Sequence, residues 1–215
     1  MTSTYRRSLD RRSLLLDRRS LLLGGLSACW VPALVGCKPR GEPLPKLTQV
    51  SNFSLVNQAG KSFTQSSLEG SVWIAAFLFT RCPTVCPRIM KQLVQMQKTV
   101  KDKDIAVKFL CFSVDPEFDT PKVLTAFGER YGVDFSRWVF LTGDSSAVQK
   151  TVIDGFKIGL EGSIDETKEH LGITHGSHLA LLDQARFIRG YYRSSDEPKT
   201  REMLLHAARL SAGEA

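Results

Sequence analysis

The chain has 215 residues, 42% of them hydrophobic and 24% charged, which suits one domain with a full core and excludes a disordered chain. Its net charge of +7 is uneven: residues 1–37 hold six arginines against two aspartates, and the remainder carries only +3. No dense basic stripe with interleaved aromatics is left in that remainder, which argues against nucleic acid as a partner.

Arg18-Arg19-Ser20-Leu21-Leu22-Leu23 has the form of a twin-arginine export signal, and Leu9 to Leu16 nearly repeats it seven residues earlier. The uncharged run from Ser20 to Gly36 falls short of the ~20 apolar residues a spanning helix needs, and Gly24, Gly25 and Pro32 interrupt it. Residues 1–37 therefore read as an export signal. Its end, Leu34-Val35-Gly36-Cys37, resembles the lipobox of bacterial lipoproteins, in which the cysteine is lipidated. The resemblance implies a protein lipid-anchored at Cys37 on the extracytoplasmic, periplasmic face of a bacterial membrane. Residues 38–47, with prolines at 39, 43 and 45, read as an extended tether, and residues 48–212 as the folded domain.

Within that domain, Phe53–Val56 and Ser62–Thr64 flank a glycine turn and predict an N-terminal β-hairpin. Val72–Phe79 is apolar on both faces, as a central strand covered by helices must be. Ile89, Leu93, Met96 and Val100 recur at helical spacing, predicting a helix from Arg88 to Val100. Ile105–Val114 predicts a second buried strand, with Cys111 in it as a small hydrophobe. Asp119-Thr120-Pro121 opens a helix whose buried face is Val123, Leu124, Phe127 and Tyr131. A short strand at Trp138–Leu141 follows, then a helix from Ser145 through Phe156. Leu160–Thr174 is polar and aperiodic, a long loop of the length that usually serves function. A closing hairpin, Leu179–Leu182 with Phe187–Tyr192, and a last helix, Lys199–Ala212, complete the chain. This order predicts an α/β fold, a mixed central sheet flanked by helices on both faces.

The chemistry concentrates in Phe79-Thr80-Arg81-Cys82-Pro83-Thr84-Val85-Cys86-Pro87, at the end of a central strand and the start of its helix. Open α/β sheets place their sites there. A thiolate at a helix N-terminus is stabilised by unpaired backbone N–H groups. Cysteines spaced i, i+4 can form a disulfide, a redox dithiol or two ligands of a metal. A purely structural disulfide gains little, because the loop it closes is so short. Soft thiolates with few further ligands favour Cu(I), and one added imidazole makes a competent Cu(II) site. His170 lies mid-loop with no neighbours that position it, and His206, in the last helix, reads as a surface residue. His175 and His178, where the long loop meets the closing hairpin, are equivalent choices on spacing alone.

These motifs together resemble the SCO/SenC family, thioredoxin-like copper proteins of cytochrome c oxidase assembly. The resemblance spans roughly residues 48–212. It rests on Phe53-Ser54-Leu55 with Gly60-Lys61, on the Cys82–Cys86 element, and on Ser113-Val114-Asp115-Pro116-Glu117 with Asp119-Thr120-Pro121. Trp138 with Leu141-Thr142-Gly143, and His175 six residues before Leu181, continue it in order. It implies a thioredoxin-like fold and copper, as Cu(I) or Cu(II), held by Cys82, Cys86 and His175, with Asp115 as a neighbour of the site. It also implies delivery of that copper to the CuA centre of cytochrome c oxidase subunit II, with other periplasmic copper chaperones or a thiol reductant as further partners. The alternative it implies is a thiol-disulfide oxidoreductase that reduces the CuA cysteines before metallation. Two departures stand near the loop: Gly176 follows the histidine, and Gln184-Ala185-Arg186 replaces the usual Pro-Asp-Gly turn.

Overall fold

Every residue from Val72 to Leu78 is buried, and a strand buried on both faces needs cover on both. The computed structural model describes residues 42–158 and 178–214. In chain order these form β1 (Thr48–Gln49), β2 (Ser54–Asn57), β3 (Ser62–Thr64), β4 (Val72–Leu78), α1 (Val85–Asp102) and β5 (Val107–Ser113). There follow α2 (Pro121–Tyr131), β6 (Trp138–Thr142), α3 (Ser145–Lys150), β7 (His178–Leu182), β8 (Phe187–Arg193) and α4 (Glu197–Ser211). The described strands make one sheet in the order β1-β8-β7-β4-β5-β6-β2-β3. Its centre, β4, β5 and β6, is parallel, and the remaining neighbours pair antiparallel. This is the mixed sheet flanked by helices that the element order predicts, in the thioredoxin-like arrangement that the family resemblance implies.

The period-2 alternation of a strand divides the core in two. Val72, Ile74, Ala76 and Leu78 of β4 face Ile89, Met90 and Leu93 of α1, Leu124 and Phe127 of α2, and Met203 and Ala207 of α4. Trp73, Ala75 and Phe77 face the opposite layer, with Phe53, Phe63, Val148, Val152 and Phe156. That second layer is built on aromatic contacts: Phe77 stacks on Phe112 at 5.5 Å, and Phe156 meets Phe112 edge-on at 4.8 Å. Two packed faces leave the carboxyl end of β4 as the place where the chain can carry chemistry.

Local chemistry explains most element ends. The β2–β3 turn closes because the Asn57 side chain accepts from the amides of Ala59 and Lys61, each at 3.0 Å, while Gly60 takes φ +72°. Thr120 caps α2 by accepting from the Val123 amide, with Pro121 as the first helical residue. Two expectations shift. The helix opening at Ser145 ends as α-helix at Lys150, and Thr151–Gly155 continue as a π turn. Thr151 donates its hydroxyl back to the Ala147 carbonyl at 2.7 Å, a bond that competes with the helical ladder. The first helix starts at Val85 rather than Arg88, which brings Cys86 into its first turn.

Residues 42–47, the described part of the expected tether, lie against the sheet edge. Leu44 is buried, and the Leu47 amide donates to the Ile188 carbonyl before β1 pairs with β8. Arg189, itself buried, donates to the carbonyls of Leu44 and Pro45 and to the Asp183 carboxylate at 2.8 Å. Asp183 in turn accepts from the amides of Ala185 and Phe187, so its lone pairs are well used. Among the described residues no helix is long and apolar enough to cross a membrane.

Removing Arg189 would leave the Asp183 charge buried without its partner. Arg189→Ala is expected to cost about 3 kcal/mol of stability, in the range for breaking a buried ion pair. Urea unfolding of parent and variant measures it, and an unchanged midpoint would show that the pair is not coupled to folding.

Candidate metal centre

The cysteine loop begins where β4 runs out of partners. Phe79 is still buried, and its carbonyl accepts from the Cys82 amide at 3.4 Å, which turns the chain back toward α1. Thr84 occupies the N-cap position of α1 yet its side chain caps nothing. The Cys82 sulfur takes over part of that task by accepting from the Cys86 amide at 3.4 Å. Pro87 carries no N–H, and it stands in the first turn, where an amide would have no helical acceptor.

The two sulfurs are electrostatically unequal. Burial pushes the Cys82 thiol up, but the amides of Cys86, Thr84 and Val85, together with the Cys86 thiol, outweigh it and bring its pKa below the ordinary value. Burial pushes Cys86 up to about 12, with Cys82 and Asp119 adding to the rise and the Phe79 backbone opposing it. Cys82, Cys86 and Cys111 are all free thiols. Cys111, fully enclosed in β5 opposite Ala76, is pushed far upward by burial, and it behaves as the small hydrophobe that its apolar surroundings predict.

A second turn holds the loop from behind. Asp119 has no solvent contact, and its carboxylate accepts from the Thr80 amide at 3.0 Å, the Thr80 hydroxyl, and the Ser113 hydroxyl at 2.6 Å. Burial raises its pKa, and these bonds from Ser113 and Thr80 work against the rise. Asp115 accepts from both Nε (2.5 Å) and Nη2 (3.2 Å) of Arg81, a bidentate pair. That pair raises the Arg81 pKa. Two carboxylates of one turn thus grip residues 80 and 81, immediately before Cys82. Asp115 meets Arg81 and not a sulfur, so its bearing on the site is through the loop. Asp119 carries no role in the sequence reading beyond helix initiation. Its signal was the polar set Ser113, Thr80 and Asp119 in otherwise apolar strand ends, and only the fold brings those three together.

The histidines separate. Ala75 of β4 stands opposite Ala180 of β7, and β7 runs the other way, so His178 lies at the end where β4 leads on to Cys82. His206, expected at the surface, is half-buried, and its Nδ1 lies 2.6 Å from the Tyr192 hydroxyl. Burial lowers its pKa. His170, His175 and the long loop that holds them lie outside the described residues, as does Cys37. Among the described residues no three His, Cys, Asp or Glu side chains come together as a metal-holding group. What the described residues offer is a pair of soft sulfur donors on adjacent turns, one of them poised to ionise. That donor set fits Cu(I), which accepts two thiolates, better than zinc, which wants four ligands.

The family model described as SCO1/SenC matches residues 42–209 of the chain. The SCO1 protein homolog of Bacillus subtilis (strain 168) is 42% identical over 110 residues, which are 51% of this chain and 57% of that relative. This match therefore spans little more than half of the relative's length. A crystal structure of a SCO1/SenC family lipoprotein from Bacillus anthracis str. Ames is 33% identical with a TM-score of 0.67, covering 76% of this chain and 95% of the other. BsSco, described as a member of the Sco family of cytochrome c oxidase assembly proteins, is 30% identical with a TM-score of 0.66, covering 79% and 99%.

The inequality of the sulfurs is open to measurement by alkylation. A lowered pKa keeps Cys82 ionised at pH values where Cys86 is still a thiol, and only the thiolate reacts. Iodoacetamide at pH 8 is expected to modify Cys82 at least about tenfold faster than Cys86, since each pKa unit is a tenfold change in thiolate. Mass mapping of a half-reacted sample gives the order, and earlier labelling of Cys86 would refute the assignment.

Proposed function

The chain belongs to the SCO1/SenC family, and we propose that it is a copper metallochaperone delivering copper to the CuA centre of cytochrome c oxidase subunit II. The observation that carries this reading is the Cys82–Cys86 pair at the strand-to-helix junction, two soft donors with one sulfur stabilised as a thiolate. Copper is the cargo here. Cys82 and Cys86 bind it as thiolates, and His175 supplies a third, detachable donor that favours Cu(II). Delivery is ligand exchange: an incoming cysteine thiol gives up its proton, binds the copper, and the displaced Cys82 thiolate takes that proton. No electron moves in this step. A two-sulfur site at a loop suits such exchange, because a closed four-ligand cage would have to be dismantled first.

Residues 1–37 act as the export signal, Cys37 carries the lipid, and the domain of residues 48–212 works at the periplasmic face of the membrane. Support comes from the lipobox-like Leu34-Val35-Gly36-Cys37 and from a relative of the same family described as a lipoprotein. Other periplasmic copper chaperones would load the site.

The inequality of the two thiols also favours a second reading, a thiol-disulfide oxidoreductase acting on the CuA cysteines. Cys82 as thiolate would attack the partner's disulfide, and Cys86 would resolve the mixed disulfide. The partner gains two electrons and two protons, this chain becomes a disulfide, and an external thiol reductant restores it. His175 has no part in that cycle.

Copper titration of the reduced protein separates the readings. One copper per chain is expected to bind tightly, binding is lost in Cys82→Ala and retained in His178→Ala, and His175→Ala removes the Cu(II) spectrum while Cu(I) binding persists. Unchanged binding in a Cys82/Cys86 double variant would end the chaperone reading. Labelling of cells with a palmitate analogue tests the anchor: the label is expected on the parent chain and absent from Cys37→Ala.

A further inference from the structure

Phe118 is 49% exposed although it lies between Asp115 and Asp119, both buried. Single apolar side chains on a surface need no explanation. This one is held in place. Its amide donates to the Asp115 carbonyl at 3.2 Å, and the Arg81 guanidinium sits over its ring, 5.1 Å from the centroid. Arg81 is itself gripped by both oxygens of Asp115, while its side chain stays 50% exposed. The next residue is Cys82. Pro83 and Thr84 beside it are exposed as well, while Cys82 itself is buried.

From this geometry we propose that Phe118 and Arg81 form the docking contact for the thiol-bearing acceptor protein. This rests on the delivery reading above and names the surface that delivery uses. Aromatic and arginine side chains dominate the centres of protein interfaces. A pair whose rotamers are already locked loses little freedom when a partner arrives, so more of the contact energy appears as binding. The charge of Arg81 is balanced by Asp115, and the guanidinium covers one face of the ring. The pair therefore presents an apolar ring face beside N–H donors that Asp115 does not use. That suits an extended, cysteine-bearing segment with an apolar side chain and free backbone carbonyls, rather than a strongly charged surface. Position decides the choice of occupant: Arg81, which carries the ring contact, immediately precedes Cys82, the sulfur that an exchanging thiol must reach.

The test uses the full chain loaded with Cu(I) and the soluble copper-binding domain of oxidase subunit II, with transfer followed by stopped flow. A small Cu(I) chelator serves as an acceptor that needs no docking. Phe118→Ala is expected to slow transfer to the domain about tenfold, the scale of losing one interface anchor. Transfer to the chelator and the copper stoichiometry stay unchanged, and Phe118→Trp restores the rate. An unchanged rate with the domain overturns the proposal. Equal slowing with both acceptors also overturns it, because the ring would then serve the copper site itself or cover residues 159–177 of the same chain. Loss of self-association in sedimentation would assign the face to a second copy instead. If the parent chain feeds the chelator but neither transfers copper to the domain nor exchanges thiols with it, the delivery reading fails and the docking contact falls with it.

Discussion

The carboxylate of Asp119, sealed from solvent, is the constraint on which the site depends. A buried carboxylate needs hydrogen bonds, and this one finds them on two separate pieces of chain, Thr80 after β4 and Ser113 at the end of β5. Satisfying it therefore ties the cysteine loop to the neighbouring strand. Asp115, four residues earlier in the same turn, repeats the arrangement at lower burial cost by pairing with Arg81. The loop before Cys82 is thus held by a polar clamp as well as by packing, since Phe79 and Cys82 still belong to the core face that α1 covers.

With the loop held, the start of α1 acts on the sulfurs. Thr84 fails to cap the helix, so amides of the first turn are left to the Cys82 sulfur. Cys86, in the first turn of the helix and fully enclosed, is governed by burial, which the Phe79 backbone opposes without outweighing. The same i, i+4 spacing therefore yields one sulfur that ionises readily and one that does not. Such a pair can bind a soft cation or exchange disulfides, and which of these occurs depends on the partner that reaches Cys82. The guanidinium of Arg81, one residue before Cys82, lies over the exposed ring of Phe118, and the clamp that holds the loop also fixes that guanidinium.

Much of this was legible along the chain because its causes are local. The run Val72–Leu78 has no polar residue, and a strand with both faces apolar can only be central. Thr120 before Pro121, and Gly60 in its turn, set their element boundaries through their own backbone preferences. What was misjudged depended on distant partners. Residues 42–47 look like an extended tether by composition, yet Arg189, more than 140 positions away, binds their carbonyls. His206 looks like a surface histidine on helical spacing alone, and its partner Tyr192 comes from β8. Asp119 reads as part of a helix start, and nothing near it in sequence announces that its acceptors will be used by Thr80.

The sequence by itself determined a mixed α/β sheet with helices on both faces, the placing of Cys82 and Cys86 at a strand-to-helix junction, and the motif order that carries the SCO/SenC resemblance. These follow from periodicity, spacing and motif order, which short-range sterics and hydrophobicity impose. Only the tertiary structure decided that Cys82 and Cys86 differ in acidity, that Asp115 and Asp119 grip the loop, and that the exposed ring of Phe118 lies against the Arg81 guanidinium. Burial, dielectric and the direction of a hydrogen bond belong to the space around a residue, and that space is filled by chain from elsewhere.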